Sequence, residues 1–243
     1  MAFNITFNGQ PIPSFVKVTG VSYTALPELQ HNLQAKTSGV GLIDNGTQIL
    51  GKTVSIDFVL VKDHRSILQL SQEFAKWLIG NDFKLSPLAI TDGETITYQA
   101  KVSNNVQIAD AWRTGDGTVE FLIPTGVAQG GNAPITVNGN TITVDYNGSA
   151  ISYPVITCNV STTTTMLSVS GSNGGRITVH GNFRAGDTVV FDCINKRIKV
   201  NGYINMKGMS LDSTWLSFPT EGSYTITGVG SGSWTCTVPL RYY

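Results

Sequence analysis

Between Lys52 and Val61 the chain reads KTVSIDFVLV, with Val54, Ile56, Phe58 and Leu60 on one side and Ser55 and Asp57 on the other. A side-chain period of two belongs to a strand with one buried face and one wet face. The same alternation recurs along most of the chain. FNITFNGQ places Phe3, Ile5 and Phe7 together and ends at Asn8-Gly9, a dipeptide suited to tight hairpins. GTVEFLIP reads as another strand. In the second half, Val189, Phe191 and Cys193 alternate, Asn195-Lys196 turn the chain, and Ile198 and Val200 alternate back. Asn138-Gly139 and Asn147-Gly148 supply further turns, and GVGSGSW reads as a hairpin turn near the end. Short strands at this spacing predict a mainly β chain whose second half is a β-sandwich.

One segment breaks the pattern. Across residues 66–80, Ile67, Leu70, Phe74, Trp77 and Leu78 recur at helical spacing. Ser66 has the chemistry of an N-cap, Gln69 stands where its capping-box partner belongs, and Gly80 suits the C-terminal end. Start, period and stop therefore predict a single helix. Its apolar stripe is expected to pack on a sheet, with the Trp77 end open to either the domain core or a neighbouring subunit.

Residues 124–134, PTGVAQGGNAP, have no apolar period and are rich in Gly between prolines, which marks a domain boundary. We expect a first domain over residues 1–128 and a second over 129–243. Between residues 31 and 50 the first domain carries a polar, Gly-rich stretch that reads as an extended arm or a pair of loops. Leu42 and Ile43 on that stretch, with Trp77, are the candidate interface residues. Hydrophobic residues make up 41% of the chain, enough for real cores, and 16 Lys and Arg balance 16 Asp and Glu. Zero net charge argues against a bulk electrostatic grip on nucleic acid or anionic membrane. The N-terminal residues lack the basic and apolar regions of a secretory signal, and no apolar run approaches the roughly 18 residues of a spanning helix. Synthesis in a cytoplasm is the corresponding expectation, and the Asn-x-Ser/Thr sequons at Asn4, Asn45, Asn147 and Asn159 are read as chance.

The search for chemistry returns no catalytic residue, no metal site and no cofactor motif. His31, His64 and His180 are scattered, and none has a second ligand at metal-binding spacing. GVGSGSW lacks the helix that a phosphate loop requires. Asp110 and Asp116 flank AWRTGDG beside Arg113, but Asp-Gly is ordinary turn chemistry. The odd number of cysteines, Cys158, Cys193 and Cys236, sits in strand-like stretches and reads as buried thiols. Trp215, Trp234, Tyr242 and Tyr243 leave sugar stacking as an alternative, although aromatic residues in strands are usually core.

The order of these features resembles the siphophage distal tail proteins, often called Dit, over nearly the whole chain. FNITFNGQ and FVKVTGV open it, and GVGLIDNGTQILGKTVSIDFVLV leads into the helix ending KWLI. FKLSPL, YQAKV and GTVEFLIP then close the first half. In the second half, GSAISYPVITCNV, GDTVVFDCINKRIKVNG, LSFPTEGSYTITGVG and VPLRYY follow in the family's order. The resemblance implies an N-terminal β-rich domain that builds a homohexameric ring. It also implies a C-terminal galectin-like or carbohydrate-module-like sandwich that projects outward. Such a ring joins the tail tube protein to a tail-associated lysin or fibre protein at the virion's tail tip. It passes the genome and can dock receptor-binding or baseplate proteins, with no membrane and no specific nucleic-acid contact. The alternative class is a lectin or adhesin module.

Overall fold

The computed structural model describes residues 3–24, 26–36, 40–61, 64–80, 82–92, 94–104, 106 and 116–243. The chain forms two compact units, Met1–Gln129 with Tyr243, and Gly130–Tyr242. The unit boundary falls inside the Gly-rich stretch, but that stretch is not irregular, because Ala128–Asn132 forms a strand. Its glycine has a packing reason: a Cβ on Gly130 would lie 2.8 Å from the Tyr242 ring.

In the first unit the strands run side by side in the order Gln10–Pro11, Asn4–Phe7, Ser86–Asp92, Glu94–Val102, Asp116–Ile123, Leu42–Leu60 and Val16–Tyr23. Asn8 and Gly9 take positive φ (51° and 73°), giving the predicted tight hairpin with Phe7 opposite Gln10. Val54, Ile56 and Phe58 are fully buried. On the other face, the Thr118 hydroxyl donates to the Asp57 carboxylate at 2.6 Å. The alternation over residues 52–61 is therefore the boundary between core and solvent.

The helix spans Ile67–Ile79. The Gln69 backbone N–H donates to the Ser66 hydroxyl at 3.3 Å, and the Ser66 N–H donates to the Gln69 side-chain carbonyl at 3.0 Å. Both bonds satisfy donors that the first helical turn leaves open. Gly80 ends the helix at φ 59°, and a Cβ there would stand 2.7 Å from the Phe7 ring. The buried stripe is narrower than the sequence predicts. Leu70, Phe74 and Trp77 face inward, while Ile67 is exposed at the first turn and Leu78 is half-buried. Phe74 and Trp77 stack with centroids 5.7 Å apart, and Phe58, Phe7 and Phe121 complete the cluster from the sheet. The Trp77 indole N–H donates to the Gln10 carbonyl at 3.1 Å. The helix thus fastens the N-terminal hairpin to the sheet.

The second unit is a sandwich of two five-stranded sheets. One runs Ile135–Asn138, Thr141–Tyr146, Gly222–Val229, Thr164–Gly171 and Arg176–Phe183. The other runs Tyr203–Ile204, Arg197–Val200, Thr188–Asp192, Val155–Val160 and Gly232–Thr237. Ile142, Val169 and Ile177 from the first sheet meet Ile156, Phe191 and Trp234 from the second in one buried core. Asp192 is buried at the end of its strand. Burial opposes its ionisation, but the Asn195 side chain and backbone N–H and the Lys199 ammonium outweigh that and hold its carboxyl below the ordinary value.

Two predicted turns are corrected. Gly222–Val229 and Gly232–Thr237 lie in different sheets, so GVGSGSW is a crossing between layers and not a hairpin. Trp234 explains this, because its ring fills the core beside Gly228, where any Cβ would collide with it. Asn147-Gly148 likewise begins a passage to the other sheet; Gly148 leaves room for the Tyr146 hydroxyl, which donates to the Ala150 carbonyl. Cys158 and Cys193 are buried free thiols and Cys236 is a half-buried one. Burial pushes Cys158 up to about 11 and both Cys193 and Cys236 up to about 12.

Candidate assembly surface

The polar stretch of the first unit folds as a two-stranded ribbon. Glu28–Ala35 pairs antiparallel with the first part of the long strand Leu42–Leu60. Gly51, at φ 135°, marks the point where the long strand leaves the core, and its close approach to the Ile123 carbonyl excludes a side chain. Register assigns the ribbon two faces. Leu29, His31, Leu33 and Ala35 lie opposite Ile49, Thr47, Asp44 and Leu42, while Gln30 and Gln34 lie opposite Gln48 and Ile43. His31 Nδ1 and the Thr47 hydroxyl are 2.9 Å apart on the first face. The Asn45 side-chain amide donates to Gln34 on the second at 3.5 Å. One face is thus set with leucines and the other with side-chain amides.

Almost every described side chain of the ribbon is exposed, including Leu29, Leu33, Leu42 and Ile43. Two strands alone are marginally stable in water, and their outer edges carry unpaired backbone N–H and C=O groups. Such an element is a template for another chain. The structure brings Leu42 and Ile43 to this arm, on opposite faces. Trp77 is not with them: it is 7% exposed within the unit's own aromatic core. Leu29 and Leu33 went unread in the sequence, although their spacing between glutamines was the available signal.

Among the described residues no catalytic arrangement accompanies the arm. A cleft of about 690 Å³ lies beside the helix, lined by Phe7, Gln10, Pro13, Glu73, Lys76 and Trp77, and Glu73 is already paired with Arg65. Asp110 and Arg113 lie outside the described residues. Asp116 opens a strand. His180 Nε2 lies 3.1 Å from the Ser210 hydroxyl on the sandwich, far along the chain from His31 and His64. Among the described residues no group of three His, Cys, Asp or Glu could hold a metal, and no helix is long and apolar enough to cross a membrane. Trp234 is buried and Trp215 packs against the core. The outer rank Asn138, Thr141, Thr227, Ser170 and Arg176, which crosses a whole sheet, offers hydroxyl, amide and guanidinium groups and no ring for a sugar to stack on.

Residues 147–242 match the family described as siphovirus-type tail component, C-terminal domain. Over 224 residues the chain is 20% identical to the distal tail protein of Bacillus phage SPP1, covering 90% of this chain and 88% of that protein. Residues 147–242 thus carry that family's domain, and the chain as a whole is similar to a siphophage distal tail protein. Its fold follows the crystal structure of SPP1 Dit over 100% of both chains, with a TM-score of 0.82 at 16% identity. That protein is described as a paradigm of the hub adsorption apparatus in phages infecting Gram-positive hosts. A chain of the phage P2 baseplate in its activated conformation with Ca aligns over 99% of this chain and 98% of its own length, with a TM-score of 0.52 at 9% identity. Both alignments span both units.

Proposed function

We propose that this protein is the structural distal tail protein of a siphophage baseplate hub. Six copies form a ring that joins the tail tube protein to a tail-associated lysin or fibre protein and lets the genome through. The first unit builds the ring, and the exposed arm is its contact element, with strand edges of one copy pairing to those of the next. Head-to-tail contacts of this kind close into a ring when the rotation between copies divides a full turn. The second unit, as a galectin-like sandwich, docks receptor-binding or baseplate proteins. The protein is made in the host cytoplasm, works at the virion's tail tip, and catalyses no reaction.

The observation that carries this reading is the two-stranded arm, exposed on both faces, in a chain whose whole length follows a distal tail protein. The lectin alternative finds less support, because Trp215 and Trp234 pack in or against the sandwich core. The test is the mass of the purified protein in solution together with negative-stain images. We expect a ring with a central hole, and monomers after replacement of residues 28–51 by a short Gly-Ser turn. A full-length monomer, or rings unchanged by loss of the arm, would refute the assignment.

A further inference from the structure

Six Asn-Gly steps occur in the chain, at Asn8, Asn45, Asn138, Asn147, Asn173 and Asn201. Such a step has a reactivity of its own. The glycine nitrogen follows the side-chain amide directly, and no Cβ on the glycine shields it. What holds the amide, and what the glycine nitrogen touches, decide whether the step reacts. Asn201 has both ends of its amide engaged, accepting the Thr188 N–H at 2.9 Å and donating to the Asp187 carboxylate at 2.9 Å. The Asn173 amide donates to the Ser217 carbonyl, and the Gly174 N–H donates to the Gly171 carbonyl at 3.1 Å. Gly148 is buried, crowded by the Tyr146 hydroxyl and the Arg241 carbonyl. Asn8 and Asn138 sit at hairpin turns of the larger sheets.

Asn45 stands in a different setting, on the arm of the first unit. Register pairs His31 with Thr47 and Leu33 with Asp44, so Asn45 and Gly46 together stand opposite Asn32 and interrupt the ladder. Gly46 takes φ 102°, and nothing lies within 4 Å of where its Cβ would be. Its N–H donates to the Asp44 carboxylate at 2.8 Å. The exposed Asn45 amide reaches Gln34 only at 3.5 Å, the limit of a hydrogen bond. A ribbon of two strands exposed on both faces opens readily. The bond from Gly46 to Asp44 joins residues two apart and needs no partner strand.

We propose that Asn45 is a site of spontaneous conversion from amide to acid, with Asp44 as the base. The Gly46 nitrogen gives its proton to the Asp44 carboxylate and attacks the side-chain carbon Cγ of Asn45. The new N–Cγ bond closes a cyclic imide. The Cγ–Nδ2 bond breaks with its electron pair on nitrogen, and ammonia leaves with the proton that Asp44 held. Water then opens the imide at either carbonyl. One opening restores the backbone and leaves an aspartyl side chain. The other routes the backbone through Cγ and lengthens it by one carbon. No oxidant or reductant takes part.

Either product puts a second carboxylate beside Asp44 and removes the amide donor to Gln34. The lengthened backbone also offsets Ile43 and Leu42 from their partners Gln34 and Ala35. A converted arm is therefore a misregistered arm. The site itself stands apart from the hub reading. Its consequence for assembly rests on that reading: a copy that waits unpaired loses its contact element.

The test ages the purified full chain in mildly alkaline buffer and follows each Asn-Gly step by peptide mapping with mass spectrometry. Asn45 should convert at least fivefold faster than Asn173 and Asn201. Asp44→Ser keeps an acceptor for the Gly46 N–H but removes the carboxylate, and should slow conversion of Asn45 threefold or more while the other steps keep their rates. An intact Asn45, a rate no faster than that of Asn201, or a rate untouched by Asp44→Ser would each overturn the proposal. Light scattering of the fresh sample reads the hub assignment separately. Rings whose Asn45 stays intact would refute this proposal and leave the hub reading standing, and fresh monomers whose Asn45 then converts would do the reverse.

Discussion

Replacing Phe74 by Ala probes the single helix most directly. Phe74 is 1% exposed and is ringed by Phe15, Phe58 and Trp77 at centroid distances of 6.5, 5.3 and 5.7 Å. Truncating a buried Phe to Ala removes its transfer free energy and leaves a cavity, together about 3–5 kcal/mol. Three aromatic neighbours and a nearby tryptophan–backbone hydrogen bond place this site toward the middle or top of that range, about 4 kcal/mol. Each 1.4 kcal/mol is a factor of ten, so globally protected amides of the first unit should exchange about a thousand-fold faster. The assay is native-state hydrogen exchange by mass spectrometry on the full chain, following peptides that contain Val54, Ile56 and Phe58. Peptides containing Ile156 and Val189 in the other unit provide an internal control. Leu68→Ala, at a largely exposed helical position, should change exchange by less than threefold, within about 0.5 kcal/mol. Less than a tenfold acceleration for Phe74→Ala would refute the claim that this ring holds the helix to the sheet.

Gly80→Ala should destabilise the first unit by about 1–3 kcal/mol, read by urea unfolding, because it combines positive φ with a Cβ driven against Phe7. An effect within error would show that the helix end relaxes freely. The three thiols should resist a disulfide reagent at pH 8 until the protein is unfolded, since burial raises all of them above the ordinary value of 9. Folding then favours the protonated thiol, so this contribution to stability is fully present below pH 9. It falls as pH rises from 9 toward about 11 for Cys158 and about 12 for Cys193 and Cys236. Rapid labelling of the native protein at pH 8, or the same alkaline decline after Cys158→Ala, Cys193→Ala and Cys236→Ala together, would contradict this account.

Local chemistry was legible wherever neighbouring residues decide the structure. The Ser66–Gln69 capping box, the Asn8-Gly9 hairpin and the face of Val54, Ile56 and Phe58 all follow from residues a few positions apart. The errors came where distant partners decide. GVGSGSW has the composition of a hairpin turn, but Trp234 is drawn into a core built by strands far away in sequence and carries its strand into the other sheet. Ile67 belongs to the helical period, but it is left exposed at the first turn, which its spacing alone could not reveal. For the arm, alternation was obscured by the register shifts between Glu28 and Leu29 and between His31 and Leu33, which break the simple period in the facing strand.

The strand pairing of the sandwich also sets an order of events during synthesis. Thr141–Tyr146 pairs with Gly222–Val229, and Val155–Val160 pairs with Gly232–Thr237, so its earliest strands wait for its latest. Pairings of such long sequence separation form slowly. The first unit's long strand, by contrast, finds Val16–Tyr23 and Asp116–Ile123 before the sandwich has been translated. A chain ending near residue 220 would therefore have a finished first unit and arm, tethered to an unclosed sandwich. In the proposed ring, such a fragment would compete for places while presenting no closed sandwich, acting as a poison of assembly rather than a harmless truncation.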